Sequence, residues 1–201
     1  RKQKRNSHQG LVMNRFFLSD HHFGHDRIYA FTGADGTRIR PWAESAAEAD
    51  EMMIDAHNRT VGRGDTVYFG GDVAIKAKAL RLLERMNGRK ILIRGNHDIF
   101  KLKDYLPHFA DIRGTHKIER IIFSHYPLHE GSLPHWCLGN AHGHTHDQIV
   151  TDADGFPDPR YLNLCVEKVG ITPLPYEEVE RRLRDARPDF RTAEADITVE
   201  C

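Results

Sequence analysis

The sequence predicts a single domain of the mixed α/β class. Short apolar runs that are typical of strands alternate along the chain with segments of helical spacing. No internal repeat, low-complexity tract or long linker divides the 201 residues. A chain of this length suits one domain and buries about 70% of its unfolded surface. We therefore expect residues 13–201 to form one domain, preceded by a flexible or vector-derived segment, residues 1–12.

Six runs of apolar, β-branched and aromatic residues predict β-strands. Each run ends close to Gly, Asp, His or Asn, as strands that lead into functional loops do. In chain order, the predicted strands are 15–19, 65–71, 89–95, 119–125, 136–141 and 160–166.

Three segments between the predicted strands show helical patterns. Residues 43–62 contain good helix formers and end on glycine, residues 76–88 repeat apolar residues at helical spacing, and residues 175–186 begin with proline. The first half of the chain therefore has the order β-α-β-α-β, which builds a parallel sheet through right-handed crossovers. The later strands follow one another more closely, so we expect them to pair in a more antiparallel way. The turn-rich segment 151–159 is interpreted as a loop inside the domain.

Composition excludes several classes of protein. The chain has 39% hydrophobic and 29% charged residues, which is typical of an ordinary globular protein. Lys and Arg together number 29, as do Asp and Glu, so no overall charge draws the chain to polyanions. The basic start RKQKR is interpreted as a solvated terminus rather than a nucleic-acid tail. No apolar run approaches the ~20 residues of a membrane span, so we expect no membrane association.

Cysteine usage indicates a reducing compartment. The three cysteines, Cys137, Cys165 and Cys201, are odd in number, widely spaced and form no C-x-x-C pair, which argues against a disulfide framework and against a thiolate zinc site. We expect Cys137 and Cys165 to be small buried apolar residues. Residues 1–12 are polar, unlike a secretory signal, so we expect a cytoplasmic protein.

Histidine and aspartate are concentrated in five short motifs. The first, SDHHFGH (19–25), places three histidines and one aspartate directly after a predicted strand. If that strand continues, Asp20 and His22 point to one face and His21 points away, as a loop residue. The other four motifs also follow predicted strands: GGD (70–72), RGNHD (94–98), SHYP (124–127) and GHTH (143–146).

We expect the five motifs to meet, because ligands of a parallel α/β sheet gather outside the carboxyl ends of its strands. The motifs offer imidazoles, carboxylates and an amide oxygen, which suit manganese, iron, zinc, nickel or cobalt. The motifs hold more side chains of this kind than one tetrahedral ion can bind, and a set of about seven suits two ions that share a carboxylate. Two ions about 3.5–4 Å apart clamp the attacking and leaving oxygens of a phosphoryl displacement.

The order of the motifs resembles the calcineurin-like metallophosphoesterases. That family carries D-x-H, then G-D, then G-N-H-[DE], then a lone His, then G-H-x-H. This sequence has D-H-H at 20–22, G-D at 71–72, G-N-H-D at 95–98, His125, and G-H-T-H at 143–146. The longer stretches SDHHFGH, LNLCVE and PLPYEEV resemble the small bacterial and phage members.

The resemblance implies a role for each matching residue. The first metal ion would be held by Asp20, His22 and His146, with Asp72 bridging both ions, and the second would be completed by Asn96, His125 and His144. His97 would contact the substrate phosphate and donate a proton to the leaving oxygen, oriented by Asp98. The implied fold is a sandwich of two mixed β-sheets flanked by helices (α/β/β/α), which the strand pattern alone does not reach.

Four further positions near the motifs have two interpretations each. His25 lies five residues after Asp20 and either reaches the substrate or not, and Arg94 either steers phosphate or is a solvated residue at a strand end. His142 precedes the last motif and is read as structural rather than as a support for a ligand. The pair His57-Asn58 is likewise read as a structural feature of a helix end.

Three functions fit these residues. The leading hypothesis is a phosphohydrolase with two divalent transition-metal ions. Manganese is the first choice of metal, and iron, zinc, nickel or cobalt are alternatives. A hydroxide that bridges the ions would attack the phosphorus of a small or nucleotide-like phosphomonoester or phosphodiester. No Cys-x5-Arg loop or G-x-S-x-G elbow supports a covalent route. The alternatives are a nuclease or nucleic-acid end-processing enzyme, which the neutral net charge does not favour, and a protein-binding scaffold, which the complete ligand set does not favour. Substrate and oligomeric state stay open.

Overall fold

Two β-sheets form the centre of the molecule. The structure, a computed structural model, describes residues 13–33 and 35–190. The first sheet has four parallel strands, β1 (Arg15–Leu18), β2 (Thr66–Phe69), β3 (Arg89–Ile93) and β4 (Asp111–Arg113), and its last strand, Leu174–Pro175 (β9), pairs antiparallel with β1. The spatial order is β4-β3-β2-β1-β9. The parallel arrangement predicted for the first half of the chain is confirmed.

The second sheet is formed by four strands from the later part of the chain. They are β5 (Thr115–Ile118), β6 (Ile121–Ser124), β7 (Gly139–His142) and β8 (Tyr161–Asn163), in that spatial order. Only β5 and β6 are antiparallel, whereas β6, β7 and β8 run parallel. The antiparallel pairs do involve later strands, β5 with β6 and β9 with β1, but β6, β7 and β8 depart from the expected antiparallel tendency. The connections 125–138 and 143–160 are long enough to return the chain to the same end of the sheet, as parallel pairing requires.

Helices cover the sheets. The α-helices are α1 (Ala46–Thr60), α2 (Leu102–Tyr105), α3 (Val166–Val169) and α4 (Tyr176–Ala186), and 3₁₀ segments span Asp26–Ala30, Ala77–Arg85 and Glu130–Ser132. Helix α1 begins after Ser45, whose side chain accepts a hydrogen bond from the N–H of Glu48 (3.2 Å), as an N-cap does.

One of the three predicted helices differs in its winding. Within the predicted helix 76–88, Ala77–Arg85 form a 3₁₀ segment rather than an α-helix. Leu80, Leu83 and Met86 are all buried, and their spacing of three residues places them on one face of a helix with three residues per turn. The apolar pattern that predicted a helix therefore fits the tighter winding equally well.

Alternation along β1 separates two hydrophobic cores. Phe16 and Leu18 belong to the core between the first sheet and the helices, while Phe17 belongs to the core between the two sheets. The ring of Phe17 stacks on Tyr68 of the first sheet (4.9 Å) and on Phe123 of the second (4.0 Å). Because neighbouring side chains of a strand point to opposite faces, one strand contributes to both cores. The α/β sandwich of two mixed sheets is thereby confirmed.

Two expectations concern the ends and the membrane. Residues 1–12, Ala34 and residues 191–201 lie outside the described residues, so the separate N-terminal segment and Cys201 stay predictions. Within the described part of the chain, no helix has the length and apolarity that crossing a bilayer needs.

Candidate metal centre

The first ligand loop follows β1 but does not continue it. The strand ends at Leu18, and both Asp20 and His22 have a left-handed backbone, with φ of 60° and 52°. Their shared direction therefore comes from a tight loop, not from the strand alternation that predicted it. His21 turns into the core, where it is 1% exposed and its ring lies 4.9 Å from that of Phe69. His21 is a loop residue, as expected, but it is buried and not at the surface, because the left-handed turns carry it inward.

Asp20, His22 and His146 form the first group of possible ligands. One ligand atom of each lies within 4.8 Å of the others. Oδ1 of Asp20 is 3.7 Å from Nε2 of His22 and 4.0 Å from Nε2 of His146. Oδ1 of Asp20 and both ring nitrogens of His22 are buried without a hydrogen-bond partner among the described residues. Buried polar atoms without partners are costly, and a cation between Oδ1 of Asp20 and Nε2 of His22 would satisfy these two atoms.

Asp72, His125 and His144 form the second group. Their ligand atoms also lie within 4.8 Å of one another. Asn96, which follows β3, joins them because its Oδ1 is 2.8 Å from Nε2 of His125. The loops after β2, β3, β6 and β7 thus bring together the four residues that the resemblance assigns to the second ion.

Asp72 lies between the two groups. Its Oδ2 atom is 3.6 Å from Nε2 of His22, which belongs to the first group, and 3.5 Å from Nε2 of His125, which belongs to the second. A carboxylate in this position can contact two ions that lie side by side. The geometry therefore fits the bridging role that the resemblance implies.

Left-handed backbone conformation is concentrated in the candidate centre. Among the described residues, six other than glycine have positive φ, and five of them belong to the ligand set: Asp20, His22, Asp72, His144 and His146. Such conformations cost of order 1–3 kcal/mol each for residues with a side chain. The fold maintains them because the surrounding loops and hydrogen bonds determine the backbone at these points.

Two glycines allow the ligand loops to approach each other. Gly71, with φ of +105°, lies so close to the imidazole of His125 that a Cβ there would clash with it. A Cβ on Gly95 would lie 2.6 Å from the backbone nitrogen of Asp72. The glycines of the G-D and G-N-H-D motifs are therefore required by close packing of backbone around the site.

Hydrogen bonds orient two of the imidazoles. Nδ1 of His125 is 2.9 Å from the backbone oxygen of Gly70, and Nδ1 of His146 is 3.0 Å from Oε1 of Glu167. A proton on each Nδ1 leaves the lone pair of Nε2 directed at the ligand group. Both rings thus present the nitrogen that a metal ion needs.

The two carboxylates of the centre have different electrostatics. Burial alone would raise the pKa of Asp20, but the neighbouring imidazoles of His22 and His125 and the hydroxyl of Ser19 outweigh it, so its pKa lies well below the usual range. Burial raises the pKa of Asp72, and it lowers the pKa of His22 to about 4. At neutral pH the centre therefore holds neutral His22 beside an ionised Asp20, which is the protonation state of metal ligands.

His97 lies at the open side of the centre. Its side chain is exposed, its ring centroid is 5.4 Å from that of His22, and its backbone N–H donates to Oδ1 of Asp72 at 2.7 Å. A side chain at this position can reach a phosphate held between the two groups. His25 lies on the same side, with its ring 5.5 Å from His22 and its buried Nδ1 without a partner among the described residues.

Asp98 differs from the role that the resemblance implies. Its carboxylate is 1% exposed and accepts three backbone N–H groups, from Asp72 (2.9 Å), Val73 (3.1 Å) and Gly95 (2.8 Å). Within the part of the chain that the structure describes, it makes no hydrogen bond to the His97 side chain. Asp98 therefore ties the loop after β2 to the loop after β3.

Arg94 and the remaining polar candidates have local structural contacts. Nε of Arg94 donates to the backbone oxygen of Asp98 (2.8 Å), which directs the guanidinium at its own loop. His57 contacts the backbone oxygen of Asn87 (2.9 Å) and Asn58 donates to that of Arg85 (2.8 Å). The structural reading of the His57-Asn58 pair is confirmed. His142 is buried, and its Nδ1 is 2.8 Å from the backbone oxygen of Gly143.

Sequence reasoning missed four residues that contact the ligands. Ser19 and Cys165 donate to Oδ2 of Asp20, at 2.5 Å and 3.1 Å, so Cys165 is buried as expected but is not merely apolar filling. Arg40 and Glu167 form a buried ion pair beside the first group. Glu167 lies in the LNLCVE stretch, but no local pattern indicates Arg40.

Comparison with known families decides the identity of the fold. The sequence model of the calcineurin-like phosphoesterase family matches residues 13–190 of this chain, which include all five motifs. This chain belongs to the calcineurin-like phosphoesterase family. The resemblance drawn from the ordered motifs is confirmed.

The relatives of this calcineurin-like phosphoesterase include archaeal and phage proteins. An uncharacterized protein of Methanocaldococcus jannaschii is 29% identical over 79% of this chain and 85% of its own length. The Gene 66 protein of Mycobacterium phage D29 is 26% identical over 87% of this chain and 98% of its own length. A solved structure of a protein of unknown function from Aquifex aeolicus matches with a TM-score of 0.58 and 24% identity, over 84% of this chain and 98% of that one. It shares the fold.

Proposed function

We propose that the protein is a phosphohydrolase that uses two divalent metal ions to cleave a small phosphomonoester or phosphodiester. Family membership supports hydrolysis of a phosphoester. The observation that carries the proposal is the position of Asp72, whose Oδ2 lies 3.6 Å from His22 and 3.5 Å from His125. Two groups of ligands that share one carboxylate fit two adjacent ions better than one.

Each side chain of the centre would have its own role in binding metal or substrate. Asp20, His22 and His146 would hold one ion, Asn96, His125 and His144 the other, and Asp72 would contact both. When bound, the two ions would supply an activated water and offset the charge of the phosphate oxygens. The exposed imidazole of His97 would bind the phosphate and give its proton to the departing oxygen. His25 would face the same phosphate from the first ligand loop.

The donor set narrows the choice of metal. The candidate ligands offer imidazole nitrogens, carboxylate oxygens and one amide oxygen, and the nearby Cys165 directs its sulfur to Oδ2 of Asp20. Such sites suit manganese, iron, zinc, nickel or cobalt. We propose manganese first, because oxygen ligands and an open position on the side of His97 favour an ion that tolerates several coordination geometries.

A cavity beside the centre supports a small substrate with an organic group. It has a volume of about 410 Å³, and its lining includes His144, His146, Phe31 and Ile39. This volume is in the range of small-ligand sites. The two histidines belong to different ligand groups, so a phosphate held between those groups would direct its organic substituent into the cavity, against the half-exposed ring of Phe31.

The nuclease alternative has less support. The chain carries 29 basic and 29 acidic residues, and a polynucleotide backbone is bound by an excess of Lys and Arg. Arg94, the basic residue within the RGNHD motif, directs its guanidinium at the backbone oxygen of Asp98. A protein-binding scaffold is also disfavoured, because the sequence retains all seven candidate ligands and His97.

The decisive experiment combines metal removal with a panel of esters. Protein stripped with chelator is reloaded with manganese, iron, zinc, nickel or cobalt and tested on p-nitrophenyl phosphate, bis-p-nitrophenyl phosphate, cyclic nucleotides and single-stranded DNA. We expect two bound ions per chain and hydrolysis of small esters only after reloading. Full activity of the stripped protein would refute the proposal, and cleavage of DNA in preference to the small esters would select the nuclease.

A further inference from the structure

Arg40 is the largest side chain that is completely buried among the described residues, with 0% exposure. Charged side chains are almost never fully buried unless they are paired. Arg40 is paired with Glu167, whose Oε1 accepts a hydrogen bond from Nε at 2.7 Å, and the side chain of Glu167 is itself 1% exposed. An ion pair in this environment has lost its hydration, so it is costly unless further hydrogen bonds satisfy both groups.

The same oxygen of Glu167 also contacts the first ligand group. Oε1 is 3.0 Å from Nδ1 of His146, whose Nε2 faces Oδ1 of Asp20. A carboxylate on the far nitrogen of a ligand histidine fixes the ring and increases its basicity.

Arg40 holds the other part of the first group at the same time. Its two terminal nitrogens donate to the backbone oxygens of Asp20 (2.5 Å) and His21 (2.9 Å). These carbonyls belong to the loop whose left-handed turns at Asp20 and His22 direct both ligands. One guanidinium therefore supports the strained loop after β1 and, through Glu167, the histidine after β7.

We propose that Arg40 and Glu167 are positioning residues that set the metal affinity of the first ligand group (Asp20, His22 and His146) and leave the second group largely unaffected. The inference rests on the proposed function, since it requires that the centre bind metal. The asymmetry follows from the contacts: in the second group, the far nitrogen of His125 meets a neutral backbone oxygen, that of Gly70, whereas His146 meets a carboxylate.

Glu167→Gln is the first test. It keeps the shape of the side chain and removes the charge that faces His146. Loss of such a supporting group typically costs about 10- to 100-fold in metal affinity. Calorimetric titration of the stripped protein with Mn²⁺ should show two events in the unaltered protein, and in the variant one event of unchanged affinity and one weakened by this factor. The matched control is Glu119→Gln, which removes the carboxylate of the Arg15–Glu119 pair (2.7 Å) away from the centre and should leave both events unchanged.

A double variant separates positioning from general destabilisation. If Glu167 acts through His146, then Glu167→Gln should cost little further affinity once His146→Ala has already removed that ligand. Additive losses, or a Glu167→Gln variant that binds both ions with unchanged affinity, would overturn the inference. Arg40→Lys keeps a positive charge but loses the planar set of guanidinium donors. We expect this variant also to weaken only one of the two Mn²⁺ binding events. It replaces Glu167→Gln in the test if that variant does not fold. Absence of Mn²⁺ binding in the unaltered protein would instead refute the proposed function.

Discussion

The backbone N–H of His97 donates a 2.7 Å hydrogen bond to Oδ1 of Asp72. The residue proposed as proton donor is therefore held at a fixed distance from the residue proposed to contact both ions. The contact uses only the backbone of His97, so a change of its side chain leaves the contact in place.

We expect His97→Ala to keep the metal content and the fold while reducing the rate by about 10²- to 10⁴-fold, the usual contribution of a positioned proton donor. The loss should depend on the leaving group. An alkoxide needs a proton and should show the full loss, whereas p-nitrophenolate leaves readily without one. Rates on an alkyl and a nitrophenyl ester, with metal measured on both proteins, check this. Equal losses would assign His97 to phosphate binding alone.

Asp72→Asn should weaken both metal ions together. The variant removes the charge of a carboxylate whose Oδ2 lies within 3.6 Å of ligand nitrogens in both groups. Titration of the stripped variant with Mn²⁺ should therefore show a loss of affinity in both binding events. The control is His135→Ala, which removes an exposed histidine outside the motifs. His135 is preferred to His21 because His21 is buried, and its replacement would destabilise the core. Loss of one event alone would mean that Asp72 serves a single ion.

Asp98→Asn should act on folding and not on proton donation. The carboxylate accepts three backbone N–H groups, and a carboxamide replaces one accepting oxygen with a donor. An unsatisfied buried group costs about 1–3 kcal/mol, to be measured as the free energy of unfolding of the stripped protein. If Asp98 instead orients His97, the variant will show the same leaving-group dependence as His97→Ala.

Phe31→Ala tests the cavity beside the centre. Contact with an aromatic ring contributes about 0.5–1.5 kcal/mol beyond burial, so KM for phenyl phosphate should rise by about 2- to 10-fold. KM for methyl phosphate should not change, because its substituent is too small to reach the ring. Phe156→Ala, which removes an exposed ring from another loop, is the control. A similar change with both esters would place the organic group elsewhere.

Asp50→Asn tests the pH dependence of stability. Asp50 is 8% exposed and accepts the N–H of Gly24 in the first ligand loop, and burial raises its pKa from 3.8 to about 6. Because the pKa of Asp50 is higher in the folded state than in the unfolded state, ionisation of this carboxyl destabilises the fold. The stability of the protein is therefore full below pH 4 and falls as pH rises through 6. The variant should therefore equal the unaltered protein near pH 3.5 and exceed it above pH 6, by at most about 3 kcal/mol. The free energy of unfolding of both metal-free proteins, measured between pH 3.5 and pH 7, gives this difference in stability. A difference that does not change with pH would contradict the raised pKa of Asp50.

Local sequence carried enough information to find the candidate ligands. Each motif follows a strand, and the carboxyl ends of parallel strands meet at one edge, so the convergence of Asp20, Asp72 and His125 follows from strand order. The reason given for Asp20 and His22 was nevertheless wrong, since left-handed turns and not strand alternation direct them. Asp and His adopt positive φ more often than most residues with a side chain, but the conformation is uncommon even for them, so residue type alone does not show which ones do.

The parts that were missed depend on tertiary structure. Arg40 and Glu167 are 127 positions apart in the chain, and nothing near either residue indicates that they meet. The strands β4, β5 and β9 have two to four residues, and the first two read as polar segments. Such strands exist because a neighbouring strand offers them hydrogen bonds, which a single segment of sequence does not reveal.

The loops that converge on the candidate centre come from both layers of the sandwich. The first group joins the loop after β1 to the loop after β7, and the second joins the loops after β2 and β3 to those after β6 and β7. Each ion would therefore act as a cross-link between the sheets, in addition to the apolar packing of Phe17. Ions at 100 times their dissociation constant would add about 2.7 kcal/mol each to the stability of the folded state. The melting temperature of the protein would then report its metal occupancy.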